Sequence, residues 1–401
     1  EFELLTLWLE ALELLPEGDP TLEDITDEVT AVRAAILNRL QETGYEKDHK
    51  DQPIDIDALY HHFHASGAKL DEAIACAHLS HRAMRQGDFQ QAMHYFQIQP
   101  SLYEEANAPW RLATNLPVAA TIMYRVGQME AGLAMAQRSL ALAEKSNDEL
   151  NKSAALVASG FYTLNEQVDY ETAAQQFQEV TQLGITMWEQ GLTAATALIG
   201  LAWQGFIALL QGDLAETGRL AQEMKQIADV RNNPRDKNTA ASFLTMLETV
   251  KGNYQIVEPS IIESVTIGHT TFARYNLIFS GCGLHNMKVA VSELIAELSL
   301  PMTTRWPTVF LYVLPAAAFM LAENGKAERA AALMAMGWAH PACPRGWWEV
   351  MDLVQKLEAR LKTELSAQAY AAAQAQGREM NVQETAMALL EELKEMAATH
   401  E

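Results

Sequence analysis

A six-residue pattern recurs along this chain at intervals of about forty residues, and it constrains the fold more than any other feature. The pattern starts with Gly or an equivalent residue, continues with a small polar residue and an apolar or aromatic one, and has Ala near its end. Five copies begin at residues 87, 127, 168, 212 and 252, so the intervals are 40, 41, 44 and 40 residues. A clear copy also begins at Gly325, and a weaker one at Gly283 divides the gap before it.

Each copy predicts a corner between two helices. Gly at a helix C-terminus adopts positive φ, and the short polar residue that follows caps the next helix. The Ala lets the second helix approach the first closely. Around Gly212, for example, the apolar spacing predicts helices over Thr193–Leu210 and Leu214–Val230. One such pair cannot bury its apolar face alone, so the sequence predicts an all-α solenoid of antiparallel helix hairpins.

The corners Gly87-Asp88-Phe89-Gln90-Gln91-Ala92 and Gly212-Asp213-Leu214 resemble those of tetratricopeptide (TPR) repeats. The period exceeds the 34 residues of a TPR, so each helix is expected to be longer. This longer variant resembles the C-terminal sensor arrays of STAND-type signalling ATPases, among them MalT-like and SARP-type bacterial regulators and cyclase-linked ATPases. Such a resemblance implies an array that holds an ATPase inactive until a trigger binds.

Both ends of the chain extend this resemblance. The stretch 361–370, followed by Gly377-Arg378-Glu379-Met380, is similar to the closing segment of those proteins, and residues 11–18 are similar to their lead-in. The chain lacks a P-loop motif, begins inside an amphipathic helix pattern and has no initial Met, so we expect it to be a piece of a longer product. The predicted domains are N-terminal helices over 1–52, TPR-like repeats over 53–340 and C-terminal capping helices over 341–401.

Charge and cysteine content exclude several classes of partner. The chain carries 29 Lys and Arg against 52 Asp and Glu, a net charge of −23. A surface this acidic repels phosphate backbones and anionic lipid, so we expect neither nucleic acid nor membrane as a partner. Apolar runs stay below the roughly 18 residues of a membrane-spanning helix. Three widely spaced cysteines predict no disulfide framework and a reducing, cytoplasmic location.

Two residue groups have the spacing of catalytic or metal sites, but each has a simpler interpretation. Six of the eleven histidines fall within 34 residues: His61, His62, His64, His78, His81 and His94. Two i, i+3 pairs among them suit a metal, yet none completes an H-E-x-x-H motif, so surface histidines are the favoured interpretation. Cys282 precedes His285 by three residues, a possible nucleophile pair, but buried packing is favoured for every cysteine. The sequence therefore predicts no catalytic residue, cofactor or metal.

Tryptophans are the predicted contact residues, because Trp is enriched in interface hot spots. Packing in the repeat core is the alternative for each of them. Trp347 and Trp348 are adjacent and so lie about 100° apart on a helix, which predicts that at least one is exposed. The candidate partner-binding residues are Trp347, Trp348, Trp188 and Trp203. An acidic face of the last helix, formed by Glu391, Glu392 and Glu395, is either solvated or faces a basic partner.

Three functions are compatible with these patterns. The favoured one is a non-catalytic recognition domain that binds a protein, a peptide or a small inducer and forms the sensor part of a STAND-type protein. The alternative is a free-standing TPR adaptor that recruits a partner to an effector complex. An enzyme is the least favoured, because it requires titratable groups that converge in a pocket.

Overall fold

The computed structural model describes residues 55–86, 88–191, 195–254, 270–300, 303 and 305–399. Within these ranges every regular element is a helix, which confirms the all-α prediction. The elements are α1 (Ile56–Ser66), α2 (Lys69–Gln86), α3 (Phe89–Glu105), α4 (Pro109–Arg125), α5 (Met129–Ser146), α6 (Glu149–Tyr162), a π-helix (Thr163–Gln167), α7 (Tyr170–Glu189), α8 (Ala195–Leu210), α9 (Leu214–Arg231), α10 (Pro234–Val250), α11 (Thr270–Gly283), α12 (Met287–Leu298), α13 (Pro307–Glu323), α14 (Ala327–Ala339), α15 (Arg345–Val350), α16 (Asp352–Glu364), α17 (Ala367–Arg378) and α18 (Val382–Thr399).

The repeated pattern marks helix corners, as predicted. Each of the glycines at 127, 212, 252 and 325 has positive φ, between 74° and 86°. The polar residue that follows caps the next helix where the structure gives its bonds: Asp213 accepts from the Glu216 N–H at 2.9 Å, and Asp169 from the Thr172 N–H at 3.0 Å. In the weak copy the positive φ falls on His285 rather than Gly283. Gly87 and residues 1–52 lie outside the described residues.

A second set of corners was not predicted as part of the repeat. Asn107, Asn147 and Asn232 have φ between 50° and 53°, and each lies between two helices of the array. Asn tolerates the left-handed region because its short polar side chain bonds locally, so it substitutes for Gly at these positions. Among the described corners, Gly thus tends to follow one helix of a pair and Asn the other.

Two compact units divide the chain. Unit 1 comprises the residues up to Met123 together with Ala134–Asn147, and unit 2 comprises Tyr124–Leu133 together with residues 148–401. In unit 1, α1 packs on α2 and α2 on α3. Its core joins α2, α3 and α4 through eight buried residues: Ala73, Ile74, Cys76, Leu102, Tyr103, Ala108, Leu112 and Leu116.

In unit 2 each helix from α6 to α11 packs against the next described helix. The helices after residue 341, predicted as C-terminal capping helices, pack on earlier ones. α17 lies against α14, and α18 contacts α12 and α13. The short helix α15 contacts α8, more than a hundred residues earlier in the sequence. The compact division of the chain therefore has no boundary at residue 341.

Candidate functional site

The four candidate tryptophans differ in their exposure to solvent. Trp347 and Trp348 are both fully buried, so the prediction that at least one is exposed is wrong. Trp203 is also buried, at 3% exposure, and only Trp188 of the four is partly accessible. The exposed tryptophan of the described residues is Trp110 in unit 1, at 57%, with the Arg111 guanidinium carbon 4.5 Å from its ring centroid.

Both tryptophans of α15 are buried because α15 is covered on two sides. Trp347 lies among aromatic rings of three other helices, with centroid distances from 5.6 to 6.4 Å: Phe206 of α8, Tyr275 and Phe279 of α11, and Tyr312 of α13. Trp348 packs edge-on against Trp338 at 5.1 Å and covers Gly337, where an added Cβ would lie 2.2 Å from its ring. Arg345 and Glu349 form the exposed face of this helix, so both tryptophans can be buried although they lie about 100° apart.

The aromatic core of unit 2 continues from Trp347 through Phe206 to Trp203. The Trp203 ring meets Phe161 of α6 at 4.3 Å and Phe272 of α11 at 4.9 Å. Helices far apart in the sequence thus share one aromatic core. These tryptophans stabilise unit 2 and present no contact surface in this conformation.

The histidine and cysteine groups do not assemble a reactive centre among the described residues. His64 Nδ1 contacts the buried Glu72 carboxylate at 2.6 Å, and Lys69 bonds the other oxygen of that carboxylate. The described residues contain no group of three side chains placed to hold a metal ion. All three cysteines are unpaired and buried, and burial raises the pKa of the Cys76 and Cys343 thiols to about 12. His285 contacts Glu323 at 3.2 Å.

The acidic face of the last helix is partly neutralised within unit 2. Glu392 lies 2.6 Å from Lys326 Nζ and 3.7 Å from Arg329 Nε, and Glu391 pairs with Lys394 at 2.8 Å. These contacts support the interpretation of this face as solvated, since surface ion pairs of this kind are common and weak.

A π-helix interrupts the repeat just before its third corner. In Thr163–Gln167 the Val168 N–H reaches the Thr163 carbonyl, which widens the turn by one residue. The side chains of Asn165 and Thr163 donate to the carbonyls of Phe161 and Ser159 and so satisfy groups of the widened segment. Val168 then takes φ 55°, a strained value for a β-branched residue. Single π-turns within α-helices occur frequently at functional sites.

A set of long-range hydrogen bonds joins this π-helix to the start of α13. We call it the latch, and its members are Arg305, Trp306, Thr308 and Tyr312 on one side and Gly127, Asn165 and Glu166 on the other. The partners are 140 to 178 residues apart in the sequence. The latch therefore joins residues 305–312 to residues near the start of unit 2.

The latch has a buried centre and a polar rim. At the centre, Trp306 is 1% exposed, and its indole Nε1 donates to Glu166 Oε2 at 2.6 Å. Beside it, the Thr308 hydroxyl donates to the Asn165 carbonyl at 2.8 Å. At the rim, the Arg305 Nε donates to the Gly127 carbonyl at 3.1 Å. An added Cβ at Gly127 would lie 2.8 Å from Arg305 Cγ, so the arginine stem lies across this glycine.

A cleft of about 540 Å³ opens beside the latch. Its walls come from four stretches: residues 165–168 of the π-turn, Arg305 with Pro307 and Thr308, residues 340–342, and Gln383. The volume falls within the roughly 300–1,000 Å³ typical of small-molecule sites. Charged, amide and apolar groups all line it, so it is the candidate functional site of this chain.

His340 contributes a neutral ring to this cleft. Its Nδ1 accepts the Ala342 backbone N–H at 3.1 Å, which requires that nitrogen to be unprotonated. Burial also lowers the pKa of His340, because the charged imidazolium loses solvation. The ring thus carries its hydrogen on Nε2 and adds a donor without a charge.

The sequence holds traces of this site outside the repeated pattern. Asn165, Glu166 and Gln167 are three consecutive polar residues at the end of an otherwise apolar helix. Trp306-Pro307 ends an irregular, β-branched stretch, and Pro341-Ala342 starts the strongest helix breaker of the chain. Each is an irregularity in the repeat, but nothing local indicates that the three meet.

Comparison with known proteins gives no relative to which these residues can be matched. Scans of protein-family models and of curated proteins found no match to this chain. Of the helices that the structure describes, none is long and apolar enough to cross a membrane.

Proposed function

We propose that this chain is a non-catalytic recognition array of TPR-like helix hairpins that binds a small inducer and forms the sensor part of a larger STAND-type signalling protein. The cleft beside the latch carries this proposal. It is the right size for a small molecule, and its walls belong to segments that are far apart in the sequence. A ligand that touches several of these walls favours the closed latch over an open one, which is how binding becomes a conformational signal.

Three other observations support the proposal, which includes a reducing, cytoplasmic location. The corners at forty-residue spacing match a hairpin array. The centre of unit 2 is filled by Trp347 and its neighbours, which leaves little room for an extended peptide. The three cysteines are unpaired, which supports the reducing cytoplasmic location included in the proposal.

The adaptor function remains the second candidate, and one observation favours it. Trp110 is 57% exposed and carries the Arg111 guanidinium over its ring. Trp and Arg are the residues most enriched in interface hot spots. A protein partner that docks on unit 1 is expected to depend on this side chain.

One experiment separates the two candidates. Thermal unfolding of the purified 401-residue chain is followed with the small-molecule fraction of its source cells and, separately, with the protein fraction. We expect the small-molecule fraction to raise the melting temperature of the wild type and of Gln226→Trp, which adds a ring at an exposed site on α9. We expect no rise for Gln383→Trp, in which the added ring fills the cleft from its exposed rim.

The opposite pattern favours the adaptor. In that case the small-molecule fraction has no effect on the wild type, and the protein fraction supplies a stoichiometric partner whose binding is lost in Trp110→Ala. A rise in melting temperature that is equal in Gln383→Trp and Gln226→Trp would place the ligand elsewhere and contradict the role of the cleft.

A further inference from the structure

The cleft beside the latch contains one cation and one anion that form no ion pair with each other or with other described residues. Arg305 uses its Nε on the Gly127 carbonyl, and no described carboxylate lies within 4.0 Å of its guanidinium. The two Nη groups therefore remain as a fork of donors. A fork of this kind matches a carboxylate in a bidentate manner.

Glu166 supplies the opposite charge. Its Oε2 accepts the Trp306 indole N–H, an uncharged donor, and no Lys, Arg or His among the described residues pairs with this carboxylate. One neutral hydrogen bond leaves its other oxygen as an acceptor. An ammonium group is the natural complement of a carboxylate that has no cation of its own.

The remaining lining residues limit the body of the ligand. His340 is neutral and adds a donor, while Gln167 and Gln383 add amides. The apolar part of the wall consists of aliphatic and proline side chains, Val168, Pro307, Pro341 and Ala342, without an aromatic ring. Such a wall accommodates an aliphatic group, and the His340 imidazole is the one aromatic ring among the lining residues.

We propose that the cleft binds a small aliphatic zwitterion, an α-amino acid being the simplest, with its carboxylate on Arg305 and its ammonium on Glu166. A dicarboxylate or a phosphate is disfavoured by the charge of Glu166, and an amine alone is disfavoured by Arg305. Because Arg305 and Glu166 stand on opposite sides of the latch, one ligand that bonds both ties the two sides together. This inference rests on the proposed recognition function and specifies the ligand class of its site.

The test is isothermal titration of the full chain with three compounds that share one carbon skeleton. L-leucine carries both charges, isocaproate only the carboxylate, and isoamylamine only the ammonium. We expect leucine to bind about tenfold or more tightly than either analogue, the difference expected from one charge-assisted hydrogen bond. The other protein amino acids and γ-aminobutyrate complete the panel, because the skeleton of the best ligand is set by the apolar wall.

Three variants localise the binding. Arg305→Met and Glu166→Gln are each expected to weaken leucine by about tenfold or more. Arg378→Met, which removes an exposed arginine outside the cleft, leaves it unchanged. Glu166→Gln keeps an acceptor for the Trp306 indole, so the latch is retained. In this variant the preference shifts from leucine towards isocaproate, a gain that a misfolded protein does not produce.

Two results would overturn the inference. If the wild type binds isocaproate as tightly as leucine, the site is specific for a simple anion. If it binds isoamylamine as tightly as leucine, the site is specific for a simple amine. Failure of every zwitterion to bind, while the small-molecule fraction of the source cells still stabilises the chain in a manner that depends on Gln383, overturns the ligand class and leaves the proposed function intact. If neither the zwitterions nor that fraction binds, both proposals fail.

Discussion

Glycines mark the closest approaches between helices in unit 2. At Gly184 an added Cβ would lie 2.2 Å from the Ala197 backbone nitrogen, so α7 and α8 meet backbone to backbone. At Gly160 the same atom would lie 2.7 Å from the Phe177 ring, which itself packs on Trp203. Neither glycine belongs to a corner, so their role is space and not positive φ. The aromatic core of unit 2 depends on them.

Two glycine substitutions test whether the close approach of helices at Gly184 matters for stability. Gly184→Ala is expected to lower the free energy of unfolding by about 2 kcal/mol, because backbone atoms must move to admit the methyl group. Gly218→Ala in α9 is the control, since its new Cβ meets only Leu247 Cδ2 at 3.8 Å. There the better helix propensity of Ala raises the free energy of unfolding by up to about 1 kcal/mol. Urea denaturation measures both, and a neutral Gly184→Ala would contradict the close contact.

At the scale of elements, the latch supplies four residues of the cleft wall: Asn165, Glu166, Arg305 and Thr308. The π-helix and the first turn of α13 bond each other through Trp306, Asn165, Glu166 and Thr308. The strained Val168 lies immediately after the π-turn.

A double-mutant cycle tests the hydrogen bond at the centre of the latch. Trp306→Phe keeps a ring against Tyr124, which lies 5.3 Å away, but removes the indole donor, and Glu166→Ala removes its acceptor. The two changes are expected to couple by about 1 kcal/mol, since the carboxylate is charged but partly exposed. Trp306→Phe combined with Glu189→Ala, an exposed carboxylate on α7, should show no coupling. Additivity in both pairs would show that the bond contributes nothing to stability.

At the scale of the whole molecule, the contacts divide the chain into two units, each with its own core. The alanines of the repeated pattern sample both units. Ala92 lies in unit 1, Ala173 and Ala330 lie in unit 2, and all three are fully buried. Burial at the same position of three copies agrees with the repeat register.

Replacing each of these alanines with leucine tests both the repeat register and the division of the chain into two units. Each substitution is expected to cost about 2 kcal/mol through overpacking. Calorimetry should show Ala92→Leu lowering one transition, and Ala173→Leu and Ala330→Leu lowering another. Near-normal melting of all three variants would contradict the register, and one shared transition that moves equally in each would contradict two separately folding units. Ala215→Leu, an exposed site on α9, is the control.

Much of the fold was predictable because its signals are local. A positive φ at Gly212 and a carboxylate cap at Asp213 need only a few neighbouring residues, so the sequence pattern identifies the corner directly. The first helix ends at Leu210 and the second begins at Leu214, as predicted, while the predicted start at Thr193 lies outside the described residues. The same local chemistry operates at Asn107, Asn147 and Asn232, but a pattern that begins with Gly does not include them.

The candidate site was decided by tertiary structure alone. Trp347 and Trp348 satisfy a surface pattern and a core pattern equally well, and their burial follows from the position of α15 between α8, α11 and α14. Glu166 and Trp306 are 140 residues apart, so no local pattern connects them. The sequence by itself determined the helices and corners of this protein, because capping and φ preferences act over a few residues. Only the tertiary structure decided the cleft, because closure of unit 2 brings together residues with no local reason to meet.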